Sequence, residues 1–434
     1  FPAIFAMVMR RLVQSFGTAG LIATPFAWVA SELGRMHVMT GFPWVLLGYS
    51  QVSVLPIAQL ASVLGVFGLS GLVSSVSAAL VIAAGPIYRG GRADAWPAGE
   101  IGSGPRGFGA MLARFAPLVI ALGLVAGVGV WGSQRVAAGT LTRAGEPMMF
   151  GLIQGNVDQG EKWDRTRASA IFADYLRMTR EAVTRGAKTV IWPESSTPFF
   201  FEEDRPAAEQ VRDIARTAKV SIVVGSDQIV RGQPTQYYNA AFLVRADGET
   251  GGVYRKMHLV PFGEYVPLKK LLFFAAPLVE AVSDFSAGDE PVLLPIGQHP
   301  VSTAICYEVV YPDLVRQGVV QGSELLTTIT NDAWFGRTSA PYQHFAQASM
   351  RAIENGRYLV RSANTGISGI VDPYGRVLAY SRIFEPAVLV GEARFLKDLT
   401  IYARIGDVFA YASLIVTGLA LVSTAWVSRA RRVQ

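Results

Sequence analysis

Three residues of the types that carry out nucleophilic catalysis each follow a short apolar run. Glu194 lies in VIWPESSTPF, Lys256 lies in YRKMHLVPFGEYVP, and Cys306 comes directly after VSTAI. A cysteine thiolate can attack an acyl carbonyl, a carboxylate can take the proton of the thiol, and a lysine ammonium can stabilise the oxyanion that forms. Together these residue types fit acyl transfer through a covalent thioester.

Each candidate also has a structural interpretation when it is taken alone. A lone cysteine is more often a small buried hydrophobe, Glu194 could cap a turn or a helix, and most lysines are simply solvated. Glu264, eight positions after Lys256, could orient or discharge the lysine, or could be an ordinary surface carboxylate. The combination of the three types, each after its own strand, is what favours catalysis.

The stretch from 148 to 402 has the pattern of an α/β fold with regularly spaced charges. Its short apolar runs predict buried strands, and they read MMFGLIQ, KTVIW, VSIVVGS, VSTAI and LLTTIT. Residues 165–186 and 206–218 have the character of helices. Because several strands are apolar on both faces, we expect sheets covered by helices, with the catalytic candidates at the strand ends.

The rest of the chain is short of charge. Of the 434 residues, 51% are hydrophobic and only 17% are charged, against about 25% charged in soluble proteins. The chain begins with Phe1 inside an apolar run, so we expect further helices upstream. Uncharged runs that reach the roughly 20 residues of a membrane span predict transmembrane helices near 12–31, 56–84, 115–134 and 408–427.

The domain order is therefore a membrane domain (1–147), a soluble catalytic domain (148–402), and a last membrane helix with a basic tail (403–434). Arginines cluster in three places, at 10–11, 89–114 and 429–432. Since positively charged loops stay on the cytoplasmic side, these clusters predict that the soluble domain lies outside the cytoplasmic membrane. This topology accounts for the net charge of +6, so we expect no nucleic-acid partner.

Two further patterns limit the chemistry. The single cysteine, Cys306, excludes an intramolecular disulfide. His37, His258 and His344 do not have the spacing of metal ligands, and we find no phosphate-binding glycine loop. We expect neither a metal ion nor a cofactor, and we expect His258 to pack or hydrogen-bond beside Lys256.

The motifs around the three candidates, WPES, KMHLVPFGEYVP and ICYE, resemble those of the carbon–nitrogen hydrolase (nitrilase) superfamily. The resemblance implies a Glu-Lys-Cys triad on an αββα sandwich, inserted here before the last helix of a polytopic membrane domain. It implies that Glu194 is the base, that Lys256 stabilises the oxyanion and the intermediate, and that Cys306 is the nucleophile.

Motifs along the whole chain are similar to those of the apolipoprotein N-acyltransferase family: TGFPW, GYSQ, QGNVDQGEKWD, HLVPFGEYVPL, CYE and TNDAWFG. The stretch SANTGISGIV at 362–371 diverges. The resemblance implies transfer of a fatty acyl chain from a phospholipid to the N-terminal amine of a diacylglyceryl-cysteine lipoprotein, the last step of lipoprotein maturation. It also implies that motif positions with supporting roles are Trp163, Glu264, Tyr307 and Glu308.

The same resemblance implies a multi-pass enzyme of the bacterial inner membrane, with its catalytic domain on the periplasmic side. Its partners would be a phospholipid acyl donor and a diacylated apolipoprotein acceptor, and the membrane spans favour a monomer. One rival is a membrane-anchored amidase or nitrilase that hydrolyses a small amide. A second rival is a non-catalytic scaffold, against which the intact Glu194, Lys256 and Cys306 argue.

Two apolar segments have two interpretations each. LLFFAAPLV at 271–279 follows the lysine motif and could be a lid or arm that dips into lipid, or a buried helix. The run FFF at 199–201, just after Glu194, has the same two interpretations. The pair Asn331–Asp332 follows a strand, and we expect it to shape the floor of the pocket.

Overall fold

The computed structural model describes residues 1–84, 108–158, 160, 164, 166–266 and 285–433. Three sets of expectations fall outside these ranges: Trp163, the segment 271–279, and the part of the predicted cytoplasmic loop at 85–107 that holds Arg89, Arg92 and Arg106. The chain divides into two compact units, one formed by Phe1–Ala138 with Ile405–Gln434 and the other by Gly139–Arg404.

Helices and strands are numbered in chain order. The helices are α1 (Pro2–Phe16), α2 (Thr24–His37), α3 (Leu55–Ala58), α4 (Ala61–Ala84), α5 (Phe108–Ala138), α6 (Thr140–Arg143), α7 (Ala168–Thr184), α8 (Arg205–Ala218), α9 (Pro312–Val320), α10 (Ala340–Asn355), α11 (Ile401–Ile405) and α12 (Val408–Val433). The strands are β1 (Glu146–Gln154), β2 (Thr189–Ile191), β3 (Ser221–Val230), β4 (Gln236–Val244), β5 (Thr250–Arg255), β6 (Leu294–Ile296), β7 (His299–Ile305), β8 (Leu325–Thr330), β9 (Leu359–Ala363), β10 (Gly369–Val371), β11 (Val377–Tyr380) and β12 (Ala387–Phe395).

The first unit is helical and apolar. Four of its helical stretches are long and apolar enough to cross a membrane, and they are Pro2–Thr40, Ala61–Ala84, Arg114–Arg143 and Val408–Val427. Near one end of α5, Arg114 Nε donates to the carbonyl of Ala83, 2.7 Å away. Near the other end, Arg135 Nε lies 3.3 Å from Oε1 of Gln59. The α4 and α5 helices therefore run in opposite directions.

The run 12–31, predicted to form a transmembrane helix, lies within the candidate span Pro2–Thr40 but comprises more than one helical element. The α1 helix ends at Phe16, Gly17 adopts φ +61°, and a 3-10 turn over Gly17–Ala23 separates α1 from α2. The α1 and α2 helices then pack side by side in opposite directions, with the rings of Phe5 and Trp28 5.1 Å apart. A glycine with positive φ is a common helix terminator, and the absence of charge in the run does not reveal it.

The second unit is a four-layered sandwich with two six-stranded sheets. Their strand orders are β12-β1-β2-β3-β4-β5 and β11-β10-β9-β8-β7-β6. The central strands β1, β2 and β3 pair in parallel, as do β7, β8 and β9. This arrangement, with helices outside both sheets, is the expected αββα sandwich, and that prediction is confirmed.

Side chains of β1 show how the layers pack. Phe150 and Leu152 belong to a core between the sheets, which they share with Ile305 of β7 and Ile329 of β8. Ile153 faces the other way and packs in a second core with residues of α7 and α8. Successive strand residues point to opposite faces, so one apolar strand serves both cores.

Candidate active site

Glu194 lies just beyond the end of β2 and is almost fully buried, with 7% of its surface exposed. Its Oε1 accepts a hydrogen bond from Asn239 Nδ2 at 2.7 Å, and its Oε2 accepts one from the backbone N–H of Asn331 at 2.7 Å. The backbone at Pro193 passes close to β3, and only a glycine at position 225 leaves room for it. A Cβ atom on Gly225 would lie 2.0 Å from the carbonyl oxygen of Pro193. The carboxylate is thus held from two strands.

Lys256 directly follows β5 and is 1% exposed. Its Nζ lies 2.8 Å from Oε1 of Glu264 and 3.3 Å from Oε1 of Glu194. Burial lowers the pKa of Lys256, but the charges of Glu264 and Glu194 raise it by more, so the net pKa is above the ordinary value. The ammonium therefore stays charged inside the protein.

Glu264 is the second carboxylate of the site and a partner of Lys256, not an ordinary surface group. Its Oε1 also accepts from Asn239 Nδ2 at 3.0 Å, and its Oε2 accepts from the N–H of Val260 at 2.8 Å. Burial raises the pKa of Glu264, but the charge of Lys256 and these hydrogen bonds bring it below the ordinary value. Glu264 therefore balances the charge of the lysine.

Cys306 begins a 3-10 turn, Cys306–Val310, at the end of β7 and is partly buried. Its φ of +55° is uncommon for a residue other than glycine, and such strain is concentrated at functional sites. Burial, followed by the charge of Glu194, raises the pKa of the Cys306 thiol, while the charge of Lys256 opposes the rise. The resting thiol is therefore protonated, and attack requires a base.

Glu308 is fully buried and ties the cysteine turn to the lysine loop. Its Oε2 accepts from the N–H of Ile305 at 2.6 Å, and its Oε1 accepts from the N–H groups of Met257 and His258 at 2.7 and 3.1 Å. Burial raises the pKa of Glu308 to about 7, although these hydrogen bonds and the charge of Lys256 oppose the rise. Glu308 therefore sets the spacing between the residues before Cys306 and those after Lys256.

Aromatic rings pack beside the hydrogen bonds that Glu308 accepts. The rings of Tyr307 and His258 lie 5.9 Å apart, and the ring of Tyr311 lies 3.9 Å from that of His258. Burial raises the pKa of Tyr307 to about 12, so its hydroxyl is neutral. Of the 199–201 run, Phe201 is fully buried in the core under α8, in keeping with the buried interpretation.

The sequence did not point to several residues that complete the site. Asn239 on β4 donates to both Glu194 and Glu264. Nothing in the surrounding sequence, YNAAF, indicates that this asparagine belongs to the site. His344 of α10 lies 3.2 Å from the carbonyl of Cys306 and beside Asp332. Within the described part of the chain, no group of three or more His, Cys, Asp or Glu residues could hold a metal ion.

Two family models match the chain. Residues 151–394 match the carbon-nitrogen hydrolase family, and residues 1–79 match the N-terminal domain of apolipoprotein N-acyltransferase. Among solved structures, a carbon-nitrogen hydrolase from Helicobacter pylori G27 is 17% identical, with a TM-score of 0.45 over 57% of this chain and 88% of its own. An amidase of the nitrilase superfamily from Nesterenkonia AN1 is 23% identical, with a TM-score of 0.46 over 62% of this chain and 97% of its own.

Curated relatives cover nearly the whole chain, and the three described here are all named apolipoprotein N-acyltransferase. The relative from Geobacter metallireducens is 40% identical over 98% of this chain and 77% of its own length. The relative from Methylococcus capsulatus is 35% identical over 89% and 70%, respectively. The relative from Pseudomonas aeruginosa PAO1 is 33% identical over 99% and 77%. These matches favour an acyltransferase over the amidase rival, and the chain belongs to the apolipoprotein N-acyltransferase family.

Proposed function

We propose that this chain moves a fatty acyl group from a phospholipid to the N-terminal amine of a diacylglyceryl-cysteine lipoprotein, through a thioester at Cys306. The relatives named apolipoprotein N-acyltransferase support an apolipoprotein acceptor and N-acylation. The observation that carries the mechanism is the buried Glu194–Lys256–Glu264 group, whose Glu194 and Lys256 charges act on the thiol of a strained cysteine. That arrangement suits a protonated thiol that is activated only when substrate is present.

In the first half-reaction, Glu194 takes the proton of the Cys306 thiol as sulfur attacks the ester carbonyl of the phospholipid. The carbonyl oxygen becomes an oxyanion, which Lys256 Nζ and the backbone N–H of Tyr307 stabilise. The carbon–oxygen bond to glycerol then breaks, and the proton on Glu194 passes to the departing alkoxide. The products are a lysophospholipid and an acyl thioester on Cys306.

In the second half-reaction, the lipoprotein amine attacks the thioester carbonyl. Glu194 takes a proton from the amine, the carbon–sulfur bond breaks, and the proton returns to the thiolate of Cys306. The products are an amide and the resting enzyme, so the two substrates react in turn with one enzyme. Amines attack thioesters readily, and the acyl-enzyme survives if water is excluded.

The supporting residues have distinct tasks in this scheme. Glu264 holds Lys256 through the 2.8 Å contact, and Glu308 holds the loops on either side of the reacting groups. Tyr307 supplies the N–H for the oxyanion, and Trp163 is assigned to substrate positioning from its place in the family motif.

We further propose a multi-pass inner-membrane protein with the catalytic unit on the periplasmic side, acting as a monomer. Four apolar helical stretches support membrane insertion. Arg11 Nε donates to Thr424 Oγ1 at 3.1 Å, near the end of α12 that leads to the basic tail. Two arginine clusters at one end of the helical unit support a common cytoplasmic side.

The test is intact-mass spectrometry of the full chain in detergent after incubation with phosphatidylethanolamine of defined acyl chains. We expect one fatty-acyl mass on the wild type, none on Cys306→Ala, and its removal by hydroxylamine. A synthetic diacylglyceryl-cysteine peptide should discharge the adduct and gain the same acyl group. An adduct that forms equally on the alanine variant, or a folded wild type without any adduct, contradicts the thioester mechanism.

The same experiment separates transfer from hydrolysis. If the adduct disappears in buffer as fast as it does with the lipopeptide, and free fatty acid accumulates, the protein is a hydrolase. If it persists until the amine is added, the acceptor is the amine. An acetylated lipopeptide is the matched control, because its blocked nitrogen cannot be acylated.

A further inference from the structure

A buried polar cluster lies behind Cys306. His344, Asp332 and Arg361 are each fully buried. His344 Nε2 lies 3.2 Å from the carbonyl oxygen of Cys306, and its Nδ1 lies 2.9 Å from Oδ1 of Asp332. Arg361 Nη2 donates to Oδ2 of Asp332 at 2.9 Å and lies 3.0 Å from Nδ1 of His344. Nothing in the reaction scheme above uses this cluster.

The hydrogen on His344 Nε2 follows from its partner. A carbonyl oxygen can only accept, so Nε2 must donate to Cys306. In the neutral ring Nδ1 then accepts from Arg361, and in the charged ring it donates to Asp332. Burial, followed by the charge of Arg361, lowers the pKa of His344 and favours the neutral ring. The bond to Cys306 is present in both forms.

That bond reaches the oxyanion donor through one peptide group. The carbonyl of Cys306 and the N–H of Tyr307 belong to the same planar unit, and in a trans peptide they point in opposite directions. A donor fixed on the carbonyl therefore fixes the direction of the N–H. Hydrogen bonds in a chain also polarise one another, so the N–H becomes a better donor.

The loop after β8 links this cluster to the base. Asn331 donates its N–H to Glu194, while the next residue, Asp332, contacts His344. Thr330 Oγ1 donates to Oδ1 of Asp332 at 2.9 Å. Gly366 leaves room for the carboxylate, because a Cβ atom there would lie 2.1 Å from Oδ2 of Asp332. Base and nucleophile are thus positioned by neighbouring residues.

We propose that His344 is a positioning residue for acyl transfer, which holds and polarises the Cys306–Tyr307 peptide so that the Tyr307 N–H receives the oxyanion. Asp332 and Arg361 hold the ring of His344 in place. The proposal rests on the proposed function, because His344 would act on the same oxyanion site through the Cys306–Tyr307 peptide. It also accounts for the φ of +55° at Cys306, a conformation that must be held by its surroundings.

The test compares His344→Gln with His344→Asn in the full chain. The amide nitrogen of glutamine reaches about as far from the backbone as Nε2 of histidine, so it can donate to Cys306. The amide nitrogen of asparagine reaches only about as far as Nδ1, so it can contact Asp332 but not Cys306. The pair therefore separates the bond to the nucleophile from the bond within the cluster.

Two rates are measured on each variant by intact mass. One is acylation of Cys306 by phosphatidylethanolamine, which passes through an oxyanion. The other is alkylation of Cys306 by iodoacetamide, which does not. We expect His344→Asn to slow acylation at least about tenfold, approaching the 10²–10³ that loss of an oxyanion donor costs, and to leave alkylation nearly unchanged. We expect His344→Gln to acylate close to the wild-type rate.

The outcomes are distinct. Wild-type acylation in a folded asparagine variant, or equal slowing of acylation and alkylation, overturns the assignment. If the asparagine variant does not fold, the glutamine variant decides, since slow acylation in its folded form overturns the proposal and near-normal acylation supports it. Failure of the wild type itself to form an adduct refutes the proposed function instead.

Discussion

Lys256 lies closer to Glu264 than to Glu194, at 2.8 Å against 3.3 Å from Nζ to the nearer carboxylate oxygen. Asn239 donates to both carboxylates, so the lysine and the asparagine together separate two negative charges. The closer contact with Glu264 leaves the lysine charge balanced by a residue that does not need to accept protons. Glu194 is then available as the base.

We expect Glu264→Gln to slow acylation about 10- to 100-fold, a part of the 10²–10⁴ that a positioned base contributes. Without the Glu264 charge, Glu194 would have to serve both as the only carboxylate beside Lys256 and as the base. The measurement is the single-turnover rate of adduct formation with excess phospholipid. Glu203→Gln, which removes an exposed partner of Arg231, is the matched control and should react at the wild-type rate.

Glu308→Ala should lower both stability and activity. The change leaves the N–H groups of Ile305 and Met257 without their acceptor, and each unsatisfied buried group costs about 1–3 kcal/mol. Thermal unfolding in detergent measures the first effect, and the rate of Cys306 acylation by phosphatidylethanolamine measures the second. Unchanged unfolding and unchanged acylation would show that the Glu308 hydrogen bonds do not position the site.

Asp332 should make stability depend on pH at the acid end. Burial opposes ionisation, but Arg361, followed by His344, lowers the pKa of Asp332 to about 2, from an ordinary value of 3.8. A lowered pKa in the folded state contributes stability above pH 3.8 that is lost as the pH falls toward 2, and the shift corresponds to about 2 kcal/mol.

The difference in unfolding free energy between the wild type and Asp332→Asn should therefore shrink as the pH is lowered from 5 to below 3. Other carboxylates also titrate in this window, so only the difference is informative. Asp213→Asn, on the exposed face of α8, provides the background. A difference that stays constant with pH would exclude Asp332 as the titrating group.

The sequence predicted the sandwich because its strands are short apolar runs between helices, and it predicted the positions of Glu194, Lys256 and Cys306 because each follows such a run. It could not predict Asn239 or His344. Their partners are 45 and 38 positions away, on other strands or turns, and such contacts depend on strand order and register.

In the membrane part, the sequence predicted which segments are apolar but not where their helices end. Uncharged length predicts that a segment is apolar, but it does not show where a helix ends. The run 12–31 is broken because Gly17 has positive φ and Gly20 packs against the backbone of Leu12, where a Cβ would lie 2.7 Å from the carbonyl carbon. Two glycines in one turn were the signal available, and charge counting does not detect it.

Gly366→Ala should disturb the active site indirectly, through the carboxylate of Asp332. The new methyl group would lie 2.1 Å from Oδ2 of Asp332, so the carboxylate must move away from Arg361 and His344. Overpacking of this kind costs about 1–3 kcal/mol, and we expect acylation to fall with it. Gly127→Ala in α5 is the matched control, since a Cβ atom there meets nothing within 4 Å. A Gly366 variant with wild-type unfolding temperature and acylation rate would show that Asp332 can shift without consequence, and that its contact with His344 does not hold the nucleophile.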